Sequence, residues 1–219
     1  MNLFEVFLKG GYLMWPILLS SLIALEVIIN KFIVLRRAQM NVSRFMITIR
    51  NFIKKKDIDG AVSHCLAEKT PVANIVRKGL KKYPLGHERV KEAIENAGKQ
   101  EVVRLEKGLS VLATVAGIAP LLGFLGTVTG MIAAFQRIQD LQGAASPSDL
   151  AGGIWEALLT TAFGLAVGIP ALLFYNYFVG RVNKMVSEME LVSNEVADTV
   201  EEVSLGVKTP VSEFDPDDV

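Results

Sequence analysis

The apolar positions of this chain fall in long blocks, and three of them reach the ~20 residues that a helix needs to cross a hydrocarbon layer of ~30 Å. They are Tyr12 to Val34, Leu109 to Gln136 and Ile154 to Val179. Between the first two blocks the pattern changes. Apolar residues recur three or four apart in Val42 to Ile53, Ile58 to Leu66, Val72 to Leu80 and Val90 to Leu109, the spacing of helices that bury one face. Lys69-Thr70-Pro71 and Tyr83-Pro84-Leu85-Gly86 punctuate the series as turns. From Glu88 onward no turn signal precedes the second block, apart from Gly98 and Gly108. The pattern therefore predicts one helix from Glu88 to Gln136, roughly 70 Å long at ~1.5 Å per residue. Past Val179 the helical spacing continues through Val182, Met185, Met189, Val192, Val196, Val200 and Val203. That face needs a cover: the loop helices of the same or an adjacent subunit, or an outside partner.

The fold so predicted is an all-α membrane protein with three transmembrane helices, in which long span-two and span-three helices extend into a cytoplasmic helical bundle. Residues 1–11 form a segment outside the membrane, 12–35 the first span and 36–107 a cytoplasmic helical domain. Residues 108–138 form the second span, 139–150 an outer loop, 151–180 the third span and 181–206 a cytoplasmic helix, and 207–219 form a disordered acidic tail.

Charge sets this orientation. Formal net charge is zero, yet Lys and Arg crowd the segment from Arg36 to Lys107, while the chain after Glu188 is almost entirely acidic. Basic residues at membrane ends mark the cytoplasmic side; Arg36, Arg37, Arg104 and Lys107 flank the loop between spans one and two, and Arg181 and Lys184 follow span three. The first apolar block contains Glu26, ends in a basic cluster and lacks a small-residue cleavage site, so it reads as a retained span rather than a secretory signal. Its Glu26 and Lys31, with Asn30, either reach toward the interface or pair with neighbouring helices. The single cysteine, Cys65, excludes a disulfide within the chain. His64 beside it and the distant His87 do not make a metal site at ligand spacing.

Candidate chemistry lies in the spans. Glu156 opens a run, Ala157 to Gly180, with no formal charge. A carboxylate there is either part of an ion path or a headgroup-level residue beside Trp155. Hydroxyls cluster at Thr114, Thr127 and Thr129 on span two and at Thr160 and Thr161 on span three. A membrane threonine can simply bond its own helix. The register favours more for some: Thr127 and Glu156 both fall within roughly 10–15 Å of the outer surface, Thr160 is one turn below Glu156 on its face, and Thr161 is on the adjoining face. Glu156, Thr127, Thr160 and Thr161 together make a polar track through an apolar wall, with hydroxyls that both donate and accept protons. Gly123, Gly126 and Gly130 with Pro120, and Gly164 and Gly168 with Pro170, are spaced for close approach of helix backbones in lipid. No Ser/His/Asp set, phosphate loop or soluble carboxylate pair suggests an enzyme, and no cofactor or nucleic-acid partner is expected.

Two motifs carry a resemblance. They are Ala119-Pro120-Leu121-Leu122-Gly123-Phe124-Leu125-Gly126-Thr127-Val128-Thr129-Gly130-Met131 and Gly153-Ile154-Trp155-Glu156-Ala157-Leu158-Leu159-Thr160-Thr161, followed by Gly164 to Pro170. With them the chain closely resembles the ExbB/TolQ/MotA family of proton-channel subunits in bacterial inner-membrane motors, and its three spans resemble the ExbB and TolQ branch. The resemblance implies a pentamer of this chain enclosing the single-span helices of an ExbD- or TolR-like partner, with a TonB- or TolA-like protein beyond it. With the orientation read from charge, the N-terminus is then periplasmic and the C-terminus cytoplasmic. Thr127, Glu156 and Thr161 match the family's pore positions; Thr160 stands where relatives often have Ala. Asn30-Lys31 replaces the family's frequent Glu-Arg. The work implied is nutrient uptake, envelope maintenance or motility. A non-conducting membrane scaffold is the rival from another class, and sodium in place of protons remains a variant of the first.

Overall fold

The computed structural model describes residues 3–142, 144 and 146–205. The expected acidic tail, 207–219, lies outside them. Helices follow one another along the chain: α1 (Leu3–Leu8), α2 (Met14–Ala38), α3 (Val42–Lys54), α4 (Ile58–Glu68), α5 (Pro71–Leu80), a 3-10 turn (Tyr83–Leu85), α6 (His87–Glu106), α7 (Leu109–Asp140) and α8 (Pro147–Leu205). No strand occurs among the described residues. The described residues divide into two compact units, one drawn from residues 3–34 and 106–181, the other from residues 35–105 and 182–205. Helix α8 is a single element running through both.

The first unit holds the membrane-length helices. Three helical stretches are long and apolar enough to cross a membrane: α2, the stretch that includes α7, and α8. Helix α2 turns Met14, Ile17 and Ala24 inward and leaves Leu18, Leu19, Leu22, Leu25 and Ile29 exposed. An apolar outer surface on a fully hydrogen-bonded helix is what hydrocarbon tolerates. Glu26 and Asn30 are on exposed positions of α2, whereas Lys31 is buried.

The expected unbroken helix of span two does not form. The helix from Glu88 to Gln136 is interrupted: α6 ends at Glu106, α7 begins at Leu109, and Gly108 between them has φ +91°. Only glycine enters that region at no steric cost. The break is backed by α2, since a Cβ added at Gly108 would lie 3.7 Å from Val27 Cγ1 and 3.9 Å from Lys31 Cε.

The second unit is built from local signals. Asn41, Asp57 and Thr70 cap α3, α4 and α5, accepting hydrogen bonds from the backbone N–H groups of Arg44 (3.0 Å), Gly60 (2.9 Å) and Ala73 (3.3 Å), and Pro71 occupies the first turn of α5. Such caps satisfy donors that the first helical turn leaves open. Phe45, Met46, Ile49 and Ile53 of α3 are buried, as are Val72, Ala73, Ile75, Val76 and Leu80 of α5. The tail stripe of α8 is buried too, from Val182 through Met185, Met189, Val192 and Val196 to Val200. Its cover comes from this chain: Arg50 of α3 pairs with Glu195 of α8 beside it. Cys65 is buried, and the His64 ring stacks on Phe45, centroids 5.8 Å apart.

Candidate functional site

Small residues decide how α7 and α8 meet. Gly123, Gly126, Gly130 and Ala134 on α7 are buried, and so are Ala157, Thr160, Gly164, Gly168 and Ala171 on α8. The approach is at backbone range. A Cβ at Gly123 would lie 2.9 Å from the Thr160 carbonyl oxygen, one at Gly130 2.7 Å from that of Gly153, and one at Gly164 2.6 Å from that of Ala119. Gly168 meets the Pro120 ring and lies near the Ala116 carbonyl, which Pro120, lacking an N–H, leaves without its helical donor. Gly117 is outside this seam, with nothing within 4 Å of an added Cβ. Gly153, Ala157 and Ala119 belong to the seam although their spacing alone had not singled them out. Pro170 is exposed.

That seam brings two hydroxyls together. Thr127 of α7 and Thr161 of α8 are hydrogen-bonded through their Oγ1 atoms. The Thr161 hydroxyl also donates to the Gly123 carbonyl at 3.0 Å, and the Thr127 hydroxyl has longer contacts of 3.4 Å with the carbonyls of Gly123 and Ala157. Each hydroxyl has one proton and two lone pairs, so the pair has two proton arrangements. In one, Thr127 donates to Thr161 and Thr161 to Gly123; in the other, Thr161 donates to Thr127, which donates to a carbonyl. Both residues are half-buried, at the edge of the seam.

The other threonines satisfy themselves locally. Thr114 donates to the Ser110 carbonyl at 2.8 Å, and Thr129 to those of Leu125 and Gly126 at 3.1 and 3.2 Å. Thr160 donates to the carbonyls of Glu156 and Ala157, both at 3.0 Å, and lies buried with its Cβ 2.5 Å from the position of a Cβ at Gly126.

Glu156 stands apart from the hydroxyl pair. Five residues advance an α-helix by about 140° beyond a full turn, and the buried stripe Ala157, Thr160, Gly164, which half-buried Gly153 continues, runs between Glu156 and Thr161. Its carboxylate is half-buried and lies against Gly11, in the turn that joins α1 to α2. Among the described residues no hydrogen bond joins that carboxylate to Thr127, Thr160 or Thr161.

Membrane-length helices, a seam of glycines and a paired hydroxyl at its edge define a polytopic helical membrane protein with a polar site inside its spanning part. The chain belongs to the MotA/TolQ/ExbB proton channel family, which it matches over residues 67–191, a range that includes all four candidate site residues. It is 31% identical over 209 residues to the Synechocystis sp. protein named ExbB-like 1, covering 89% of this chain and 80% of that one. It is 36% identical over 109 residues to the biopolymer transport protein ExbB of Xanthomonas campestris, covering 50% of this chain and 43% of the relative. The Tol-Pal system protein TolQ of Pseudomonas aeruginosa is 36% identical over 108 residues, covering 49% and 46%.

Proposed function

We propose that this chain is the proton-conducting subunit of an inner-membrane motor similar to those of ExbB and TolQ, converting the proton motive force into mechanical work on a periplasmic or outer-membrane partner. The observation that carries this reading is the Thr127–Thr161 pair, two hydroxyls that can exchange donor and acceptor roles inside an apolar pair of helices. Thr160, buried and bonded to its own helix, contributes the close packing that holds the pair. Glu156 supplies a carboxyl at the entrance of the same path. Because the hydroxyl pair and Glu156 lie on opposite flanks of the α7–α8 seam, a path joining them needs atoms from outside one chain. A ring of copies, a pentamer around the single-span helices of an ExbD- or TolR-like partner, provides them. TonB-type nutrient transport is the proposed work. One charge moved through 100 mV releases about 2.3 kcal/mol, so several protons per cycle drive such a step.

The test is proton uptake into liposomes that hold the protein with its co-purified partner, under an imposed pH gradient and potential. Uptake is expected in wild type and is strongly reduced in Glu156→Gln, with assembly mass unchanged. Thr127→Val with Thr161→Val reduces it as well. Wild-type uptake equal to that of both variants removes these residues from the path. A silent wild type favours a non-conducting scaffold.

A further inference from the structure

Glu156 rests on a part of the chain outside the stretch that matches the family, residues 67–191. The turn between α1 and α2 is closed by two glycines. The Gly10 N–H donates to the Phe7 carbonyl at 3.1 Å, ending α1, and the Gly11 carbonyl accepts from the Met14 N–H at 3.3 Å, starting α2. Gly10 is buried; a Cβ there would lie 2.8 Å from Met14 Sδ and 3.4 Å from Leu159 Cδ2. A Cβ at Gly11 would fall on Glu156 Oε1 and 2.7 Å from the carboxyl carbon. Glu156 and Leu159, three residues apart, share one face of α8, and the bare backbone of the glycine pair is laid on that face. Phe7 and Trp15, on either side of the turn, meet edge to face with centroids 5.3 Å apart, which braces the turn in this position.

Gly11 is constrained twice. Its φ of +70° disfavours a side chain, and the volume a side chain would need is occupied by the Glu156 carboxylate. Either constraint alone would be a matter of turn geometry or of local packing. Together they tie the position of an N-terminal turn to the position of the carboxyl.

We propose that the Gly10-Gly11 turn is a cover seated on Glu156 that fixes where the carboxyl points and limits its access to protons, so that Gly11 is a positioning residue for the proton path. This rests on the reading of Glu156 as a proton-path carboxyl. Displacing the turn should leave Glu156 more open to reagents and should change conduction through Glu156 alone.

The test uses the full complex in liposomes and two variants. Gly11→Ala strains the backbone and fills the space; Gly11→Asn fills the space while tolerating positive φ, so it remains informative if the alanine variant does not assemble. The first readout is the rate at which dicyclohexylcarbodiimide labels Glu156, followed by peptide mass, and it requires no flux. The second is proton uptake in single and double variants with Glu156→Gln. The expected result is severalfold faster labelling of Glu156 in Gly11→Asn and altered uptake that vanishes in the Glu156→Gln background. Unchanged labelling overturns the proposal, and so does an uptake change that persists without the carboxyl. Wild-type uptake that is insensitive to Glu156→Gln would instead defeat the proton-path reading, with the labelling rate still deciding whether the turn covers the carboxyl.

Discussion

Gly164→Ala and Gly117→Ala are the same chemical change, and the structure assigns them opposite signs. At Gly164 the new methyl would lie 2.6 Å from the Ala119 carbonyl oxygen, 2.9 Å from Gly123 Cα and 3.1 Å from Gly123 N. These are backbone atoms of the facing helix, so no side chain can rotate away. Ordinary carbon contacts begin near 3.5 Å, and α7 and α8 must part by roughly 0.5–1 Å. Overpacking of this kind costs about 1–3 kcal/mol. The Thr161 to Gly123 hydrogen bond, 3.0 Å long, spans the same seam and stretches out of range, at a cost of about 1 kcal/mol. Alanine's better helix propensity returns up to ~1 kcal/mol, leaving a net loss of about 1–3 kcal/mol. At Gly117 no atom lies within 4 Å of the added Cβ, and the propensity gain of up to ~1 kcal/mol stands alone. The assay is thermal unfolding of the purified assembly in detergent. At ~2–4 °C per kcal/mol for a chain of this size, the two variants should melt roughly 5–15 °C apart, with Gly164→Ala lower. Equal melting temperatures would refute the claim that this seam is packed at backbone range.

Two further positions, Gly108 and Cys65, test other parts of the fold. Gly108→Ala should destabilise by about 1–2 kcal/mol through its φ of +91° rather than through a clash, the nearest atoms being 3.7 Å away; Gly108→Asn should recover part of the loss in the same melting assay, and equal losses would point to packing. Burial pushes the Cys65 thiol up to about 12, with the nearby Arg77 guanidinium opposing less strongly. At pH 8 only about one thiol in ten thousand is ionised, so maleimide should label Cys65 only after unfolding. An unfolded thiol ionises near 9 while the folded one stays neutral, so this contribution is complete below pH 9 and is lost as pH rises from about 9 toward 12. Cys65→Ala should flatten that part of the stability curve, and an unchanged slope would show that Cys65 does not contribute.

The second unit was the more legible because its determinants are local. Asn41, Asp57 and Thr70-Pro71 are cap residues by chemistry, and Phe45, Ile49 and Ile53, like the valines and methionines of the α8 tail, recur at a helical period that their burial follows. The interruption at Gly108 was not legible. A lone glycine in a helical pattern is tolerated, and the basic Arg104 and Lys107 in the turn before Gly108, which Gly98 lacks, are only a weak stop signal; Gly98 stays helical with nothing within 4 Å of an added Cβ. A tertiary difference accompanies it: the Val27 and Lys31 side chains stand beside Gly108. The contact between Gly11 and Glu156 was equally hidden, since it joins residues far apart in sequence and depends on a turn whose only local signal is a pair of glycines.

For the candidate site, residue spacing fixed relative directions but not which direction faced the neighbouring helix. Counting about 100° per residue puts Thr160 near the face of Glu156 and Thr161 further round; the glycine seam determines which of them is covered. That seam passes through Thr160, so Thr160 is buried in helix packing and Thr161 is left at the edge, where it reaches Thr127. The same absence of side chains that lets α7 and α8 approach also exposes the Gly123 carbonyl to the Thr161 hydroxyl. Packing and polar chemistry are therefore one feature here, and a bulkier seam would remove both. On the opposite flank the seam gives Glu156 nothing to bind on α7, which leaves its carboxyl to the N-terminal turn.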